Sequence, residues 1–162
     1  MKTLFVLRHA KSSWDYPELA DFERPLNKRG KKAAPFMGDL MRRKGLIPEF
    51  ILSSSAKRAK QTAKLVKASA EIENDIHFDR QVYGASTNTL LHIVGEFENG
   101  HSSAMIVGHN PGFEGLVEVL GGEYQRMPTA ALAVIELEID TWHETAAGKG
   151  ILVEILRPKE QM

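Results

Sequence analysis

The sequence predicts an α/β protein built in three layers, with a mostly parallel β-sheet between helices and an antiparallel edge or hairpin near the C-terminus. Short apolar runs, typical of buried strands, alternate with stretches of 3.6-residue spacing, typical of helices. From Ala130 onward the pattern changes to two strand-like segments that a polar turn separates. No repeat or linker interrupts the chain, so we expect one domain over residues 1–162.

The strands are predicted from short runs of apolar residues. In chain order they are Thr3–Leu7, Phe50–Leu52, a short strand through Ile76 and Phe78, Ala104–Val107, Ala130–Ile139 and Gly150–Leu156. A polar turn around residues 145–149 joins the last two, which favours an antiparallel hairpin.

The helices are predicted from apolar stripes between those runs. The stripes are Ala33, Met37, Leu40 and Met41 before Gly45; Ala59, Thr62, Ala63, Val66 and Ala70; Leu90, Leu91, Val94 and Phe97; and Phe113, Leu116, Val117 and Leu120 before Gly121. Asn27, Ser55 and Thr87 are the expected N-caps. Pro35 lies inside the first stripe, where it would cost about 3 kcal/mol unless the helix kinks or begins later.

The composition excludes several classes of function. The 162 residues include 43% hydrophobic residues, enough for a core, and the 21 cationic residues equal the 21 acidic ones, so we expect neither nucleic acid nor a membrane surface as partner. No apolar stretch is long enough to span a bilayer, and a cytoplasmic location is expected. The absence of cysteine excludes disulfides, thiolate metal sites and a cysteine nucleophile. We also find no histidine or carboxylate spacing typical of metal ligands, so no metal or cofactor is expected.

Polar residues follow three of the predicted strands at the point where each strand ends. Arg8 and His9 follow the first strand, three serines follow the second and lead to Arg58, and His109 follows the fourth. Since the carboxyl ends of parallel strands meet at one edge of a sheet, two histidines and two arginines are expected together. A nucleophile with cationic donors is what an enzyme acting on phosphate needs.

Each of these residues also has a simpler interpretation. Arg8 and His9 could be a solvated pair at a strand end, and His109 could be an ordinary turn residue. Arg58 would be an exposed cation in the first turn of a helix, where it opposes the helix dipole and contributes little to stability. An anion bound at that helix start would make the cation favourable. The four residues together therefore favour a phosphate site more strongly than any one of them does.

Three segments carry a resemblance to a known family. Leu7–Ala10, Ser55–Ala63 and Val107–Pro111 resemble, in order and spacing, the motifs of the histidine phosphatase superfamily, with its phosphoglycerate-mutase-like fold. Asp21–Gly30 and Pro128–Leu132 look like the SixA-type phosphohistidine phosphatases within it. The resemblance extends over essentially the whole chain and implies a single histidine-phosphatase-like domain.

The resemblance implies a division of labour at the site. His9 would attack phosphorus in line and carry the phosphoryl group, Arg8 and Arg58 would hold the phosphoryl oxygens, and His109 would donate a further hydrogen bond. Ser12 is also expected to bind substrate. No metal would be required. The two arginines predict a lowered pKa for His9, which keeps its nucleophilic nitrogen available at neutral pH.

The proton donor is left open by two departures from the family pattern. The mutase branch has a glutamate shortly before a Tyr-Gly pair, whereas the residues before Tyr83 here are Asp79, Arg80, Gln81 and Val82. Asp15 stands where mutases often have an asparagine that contacts phosphate. Asp21 is the first candidate for proton donation, with a cap or a salt bridge to Arg24 as the alternative, and Asp15 and Asp79 are further candidates.

The SixA-type resemblance implies hydrolysis of phosphohistidine on a protein. A weakened acid is consistent with this substrate, because an imidazole leaving group needs less acid assistance than an alkoxide. The substrate would then be a phosphorylated protein, and the enzyme is expected to be a monomer. The rival interpretations are a small-metabolite phosphatase or mutase of the same fold, a non-catalytic phosphate-binding module, and a flavodoxin-like binding domain. Turnover of p-nitrophenyl phosphate would separate the enzymes from the binding modules.

Overall fold

The computed structural model describes all residues from Met1 to Met162 and contains one mixed six-stranded sheet. Its strands are β1 (Lys2–Arg8), β2 (Phe50–Ser54), β3 (Ile76–Asp79), β4 (Ser103–Gly108), β5 (Leu132–Leu137) and β6 (Gly150–Leu156). Their order across the sheet is β3-β2-β4-β1-β5-β6. The first four strands are parallel to one another, β5 pairs antiparallel with β1, and β6 pairs antiparallel with β5. The predicted mixed sheet and its C-terminal hairpin are therefore confirmed.

The helices are α1 (Lys28–Lys44), α2 (Lys57–Ala70), α3 (Thr87–Gly95), α4 (Gly112–Gly121) and α5 (Pro158–Gln161). Successive residues of β1 point to opposite faces of the sheet, and both faces are buried. Phe5 and Leu7 pack into a core with α1 and α2, whereas Leu4 and Val6 pack into a core with α3 and α4. The predicted three-layer architecture is therefore confirmed. No helix is long and apolar enough to cross a membrane.

Helix boundaries show where local sequence signals were misread. Asn27 is an N-cap as predicted, and its side chain accepts a hydrogen bond from the Gly30 amide. The other two caps were wrong: Ser86 rather than Thr87 caps α3, and α2 begins after Ala56, which has no capping side chain, rather than after Ser55. Three serines precede α2 and two hydroxyl residues, Ser86 and Thr87, stand at the start of α3, so residue type alone does not show which position has extended backbone.

Two further differences concern the interior and ends of helices. Pro35 lies inside α1, which begins at Lys28 and continues past the proline to Lys44. Phe97 lies beyond the end of α3, although its side chain still packs in the core. The short helix α5 and three single turns of 3₁₀-helix, at Asp21–Glu23, Arg80–Val82 and Trp142–Glu144, were not predicted, because segments of three or four residues carry no periodicity.

Candidate active site

The predicted histidines and arginines meet at the carboxyl ends of β1, β2 and β4. Arg8 is in register with Gly108 across β1 and β4, and the His9 amide donates a 2.9 Å hydrogen bond to the Gly108 carbonyl. This pairing holds the residues that leave the two strands side by side. The rings of His9 and His109 consequently lie 5.2 Å apart, centroid to centroid.

His9 is buried, and one hydrogen bond fixes its tautomer. Its Nδ1 lies 2.7 Å from the Ala10 carbonyl oxygen, which can only accept, so Nδ1 carries the proton and Nε2 keeps its lone pair. Burial, together with the charges of His109, Arg8 and Arg58, lowers the pKa of His9 to about 3. The predicted direction is confirmed, but burial rather than the arginines is the main cause. His9 is therefore a neutral imidazole with a free lone pair at physiological pH.

His109 is also kept neutral. Burial, followed by the charge of Arg58, lowers the pKa of His109 to about 4. Its Nε2 lies 2.8 Å from the Ser54 hydroxyl, which can donate to that nitrogen or accept from it. The other ring nitrogen, Nδ1, is buried and has no hydrogen-bond partner in the protein. A proton on either nitrogen is therefore compatible with the contacts.

Arg8 is held by the backbone of a loop that precedes β5. Its Nη1 donates a 3.1 Å hydrogen bond to the Met127 carbonyl, which also accepts from the Asn110 side chain at 2.9 Å. The Met127 amide donates to Glu114 Oε2 at 2.8 Å, so the loop is fixed from both sides. Burial lowers the pKa of Arg8 while the nearby Glu114 carboxylate opposes that shift. Its Nε is buried and has no hydrogen-bond partner in the protein.

Arg58 is buried, with a relative exposure of 7%, and this corrects the expectation of an exposed first-turn cation. Its Nη1 donates to the Asp21 carbonyl at 2.7 Å and its Nη2 to Asp21 Oδ2 at 2.9 Å. The guanidinium carbon lies 5.9 Å from the centroid of the Tyr83 ring. The burial is not evident from the sequence, because the covering segment around Asp21 is 37 residues away along the chain.

Asp21 forms ion pairs with two arginines at 2.9 Å each, Arg24 through Oδ1 and Arg58 through Oδ2. The Tyr83 hydroxyl donates to the same carboxylate at 2.7 Å. Although burial acts to raise the pKa of Asp21, the hydrogen bonds from Tyr83, Arg24 and Arg58 outweigh it and hold the pKa well below its usual range. The salt bridge to Arg24, our alternative for Asp21, is present. An ion-paired carboxylate is a weak proton donor in this arrangement.

The remaining polar candidates have other partners. The Ser12 hydroxyl accepts a 2.6 Å hydrogen bond from Arg24 Nη2. Asp15 is exposed, and its backbone amide donates to the Ser13 hydroxyl. Asp79 caps the turn at Arg80–Val82 by accepting from the Gln81 amide at 2.8 Å. The structure thus brings His9, Arg8, Arg58 and His109 together with Asp21. Ser12 contacts Arg24, and neither Asp15 nor Asp79 forms a hydrogen bond or ion pair with this group.

Several residues that were not predicted hold the site together. Thr62 accepts from the Ala10 amide at 2.9 Å and donates to the Arg58 carbonyl at 2.7 Å, which ties α2 to the loop after His9. Its position four residues after Arg58 on one helix face was an available signal. Ser54 and Tyr83 lie in motifs already considered, but Glu114 belongs to an amphipathic helix whose pattern gives no hint of a role.

The histidines outside the site are accounted for locally. His77 and His101 each stack on Phe50, with ring centroids 5.0 Å apart, and His92 pairs with Glu96. His143 is exposed. No group of three or more histidine, aspartate or glutamate side chains is arranged to hold a metal ion.

The protein is an α/β protein with two neutral histidines and two arginines at the carboxyl ends of the parallel strands. Residues 4–88 match the family model of the histidine phosphatase superfamily (branch 1). An uncharacterized chloroplastic protein of Arabidopsis thaliana is 32% identical over 158 residues, which cover 92% of this chain and 72% of the relative. The chain therefore belongs to the histidine phosphatase superfamily, and it is a phosphatase.

Solved structures refine the assignment within the family. The putative phosphohistidine phosphatase SixA from Agrobacterium tumefaciens superposes with a TM-score of 0.84 at 30% identity, covering 97% of this chain and 98% of that one. The protein histidine phosphatase SixA complexed with tungstate superposes with a TM-score of 0.86 at 21% identity, covering 99% of each chain. The chain is thus of the SixA type, with the phosphoglycerate-mutase-like fold that its motifs implied.

Proposed function

We propose that this phosphatase removes the phosphoryl group from phosphohistidine on a protein, through a covalent intermediate on His9. The observation that carries the proposal is the 2.7 Å contact between His9 Nδ1 and the Ala10 carbonyl. Because that contact places the only ring proton on Nδ1, Nε2 is available as a nucleophile without a separate base. The low pKa of His9 keeps it so at neutral pH.

The reaction would proceed in two displacements at phosphorus. His9 Nε2 attacks in line, a new N–P bond forms, and the bond to the substrate imidazole breaks as that imidazole takes up a proton. Water then attacks the phosphoryl group on His9, which releases inorganic phosphate and restores the neutral imidazole. The similarity to a SixA complexed with tungstate, a tetrahedral oxyanion, supports an oxyanion site in this fold.

Two arginines and His109 would stabilise the charge that moves to the phosphoryl oxygens. Arg8 has a buried Nε without a protein partner, and Arg58 is fixed in place by Asp21. Such charge-assisted hydrogen bonds are preorganised, so little reorganisation is needed at the moment of reaction. His109 with a proton on Nδ1 would donate to the same group, since that nitrogen is otherwise unpartnered.

The state of Asp21 supports a substrate with a good leaving group. A carboxylate held in its ionised form by Tyr83, Arg24 and Arg58 gives little help in protonating an alkoxide. An imidazole leaving group needs less help. We therefore propose that Asp21 mainly positions Arg58.

The proposed reaction needs no divalent ion, because Arg8 and Arg58 provide the positive charge that a metal would otherwise supply. Dialysis of the enzyme against EDTA should leave turnover of p-nitrophenyl phosphate unchanged. A loss of activity that zinc or magnesium restores would contradict this part of the proposal.

The expected monomeric state and cytoplasmic location stay predictions, and the Arabidopsis relative is described as chloroplastic.

The substrate class is tested by a hydrolysis screen of phosphohistidine peptides against phosphoserine, phosphotyrosine and sugar phosphates. We expect the highest kcat/KM for phosphohistidine. Preference for a sugar phosphate would instead assign the chain to the small-metabolite phosphatases, and transfer within such a substrate would indicate a mutase.

The intermediate is tested by acid-free quenching with labelled substrate and mapping of the adduct by mass spectrometry. His109→Ala should slow breakdown and let the adduct accumulate. A phosphoramidate on His9 is labile in acid and stable in base, the reverse of an acyl phosphate on Asp21. Label on an aspartate or serine, or full turnover by His9→Ala, would overturn the mechanism.

A further inference from the structure

A cavity of about 640 Å³ opens beside Arg8, on the side of the site that faces α1 and the C-terminal segment. Seven of its thirteen lining residues are cationic and only one is acidic. The cationic residues are Arg8, Lys11, Arg29, Lys32, Arg126, Arg157 and Lys159, and the acidic residue is Glu160. Arg8 lines the cavity and also belongs to the candidate active site, so the cavity borders that site.

The positive charge of the cavity is only slightly compensated within the protein. Arg126 and Arg157 each lie 3.4 Å from Glu160, which they share. Lys11, Arg29 and the other lining lysines have no carboxylate within ion-pair distance. The chain as a whole has no net charge, so this concentration of cations is local. A concave surface lined by one sign of charge focuses the field and attracts the opposite charge.

The start of α1 adds to this field. The amino end of a helix favours negative charge, but the first turn of α1 contains no acidic residue. Arg29 and Lys32, near that end, line the cavity. Gly30 allows that end to pack directly on the Lys11 backbone, where any side chain would collide with the carbonyl oxygen. The Asn27 amide donates to the same carbonyl at 3.0 Å. The start of α1, with its cations, is therefore fixed against Lys11, two residues after His9.

We infer that this basic cavity binds an anionic group that the substrate carries next to the phosphoryl group it loses, either side-chain carboxylates or a second phosphate. This inference rests on the proposed function and specifies its substrate. The volume lies within the range of about 300 to 1,000 Å³ that accommodates a small ligand, far more than the transferred phosphoryl group needs. The transferred group itself goes to His9, so the cavity serves the part of the substrate that remains.

The first test compares two phosphohistidine peptides that differ only in having glutamate or glutamine residues beside the phosphorylated position. The wild-type enzyme should prefer the glutamate peptide, and the preference should fall with rising salt. In Arg29→Glu/Lys32→Glu the preference should fall by about tenfold, as expected for two partly solvated charge contacts. This variant should fold, because Arg29 and Lys32 are exposed and the amino end of α1 favours negative charge.

The matched control is Lys64→Glu/Lys67→Glu, which makes the same change of charge on α2, outside the cavity. The control should keep the wild-type preference. Equal loss in both double variants would overturn the inference, because only a general effect of net charge would then remain. Equal kcat/KM for the two peptides in the wild-type enzyme would show that side-chain carboxylates are not the anion.

The source of the anion is distinguished by a second pair of substrates, a sugar monophosphate and the corresponding bisphosphate. If the wild-type enzyme prefers the bisphosphate and Arg29→Glu/Lys32→Glu does not, the result supports the inference about the cavity. If phosphohistidine peptides are not hydrolysed in the same screen, the proposed substrate class is wrong but the inference about the cavity still holds. Titration calorimetry with hexaglutamate, which has no phosphoryl group, measures the cavity without catalysis. Binding that the double variant retains at wild-type strength would also overturn the inference.

Discussion

Arg58 is both a candidate phosphate ligand and a buried part of the fold, since its guanidinium is enclosed by Asp21 and Tyr83. Arg58→Ala should lower kcat/KM by about 10- to 150-fold, which corresponds to a lost charge-assisted contact of about 1.5 to 3 kcal/mol. It should also destabilise the fold by about 1 to 3 kcal/mol, because the Asp21 backbone carbonyl loses its donor. Activity assays and urea unfolding measure the two effects.

Lys64→Ala is the control for this prediction, because Lys64 lies on the same helix and is exposed. It should change neither quantity appreciably. Wild-type turnover by folded Arg58→Ala would show that the start of α2 is not part of the phosphate site.

The lowered pKa values of His9 and His109 make stability depend on pH. Both side chains stay neutral in the folded protein down to about pH 4, whereas in the unfolded chain a histidine takes up a proton near pH 6.5. Since the unfolded state then binds more protons, the free energy of unfolding should fall as pH decreases from about 6.5, by up to about 1.4 kcal/mol per pH unit for each histidine. Carboxylates with lowered pKa values contribute only at more acidic pH, below their unfolded values.

Urea unfolding between pH 5 and 6.5 in about half-unit steps measures this slope in the window where the histidines dominate. His9→Gln should reduce the slope, whereas His143→Gln, which changes an exposed histidine, should not. The same slope in wild type and His9→Gln would show that His9 is not held neutral by the fold.

At the scale of single elements, the close contact between α1 and the loop after His9 depends on Gly30. Alanine normally favours a helix, but here its Cβ would collide with the Lys11 carbonyl oxygen. Gly30→Ala should therefore destabilise the protein by about 1 to 3 kcal/mol and also lower activity, because the displaced loop carries His9. Circular dichroism during urea unfolding and the phosphatase assay measure the two effects.

Gly100→Ala provides the comparison, since nothing lies within 4 Å of the position its Cβ would occupy. A Gly30→Ala protein as active and stable as Gly100→Ala would mean that α1 can move away from the loop without affecting His9.

The elements that were predicted correctly are those whose structure depends mainly on their own residues. The short apolar runs of β1 and β4 predict buried strands. The residues that follow parallel strands share an edge of the sheet, which located His9 and His109. The predicted environment of Arg58 was wrong, because its burial depends on a tertiary contact with Asp21. The link from Glu114 through Met127 to Arg8 could not be predicted either, since it passes through backbone groups that every residue possesses.

Across the whole molecule, the site and part of the core lie at opposite ends of the sheet. Trp142 is fully buried near the amino ends of β1 and β4, and its indole N–H donates to the His101 carbonyl at 2.9 Å. Trp142→Ala should lower the free energy of unfolding by about 3 to 5 kcal/mol, because a large cavity is left. The kcat of the folded fraction should be unchanged. Urea unfolding and active-site titration at low temperature measure the two quantities.

A proportional loss of kcat and stability in Trp142→Ala would show that the two ends of the sheet are coupled. His109→Ala gives the opposite comparison at the carboxyl edge, where activity should fall much more than stability. Together the two variants separate the part of the chain that maintains the sheet from the part that acts on phosphate.

The placement of the two tryptophans also makes the protein its own optical reporter. Trp14 is 77% exposed, and the Arg24 guanidinium carbon lies 3.3 Å from the centroid of its ring. Arg24 also contacts Ser12 and Asp21, so a ligand that rearranges this group changes the surroundings of the indole. In Trp142→Phe all remaining indole fluorescence comes from Trp14, and its emission should then report any ligand that displaces Arg24, without a dye or a chromogenic substrate.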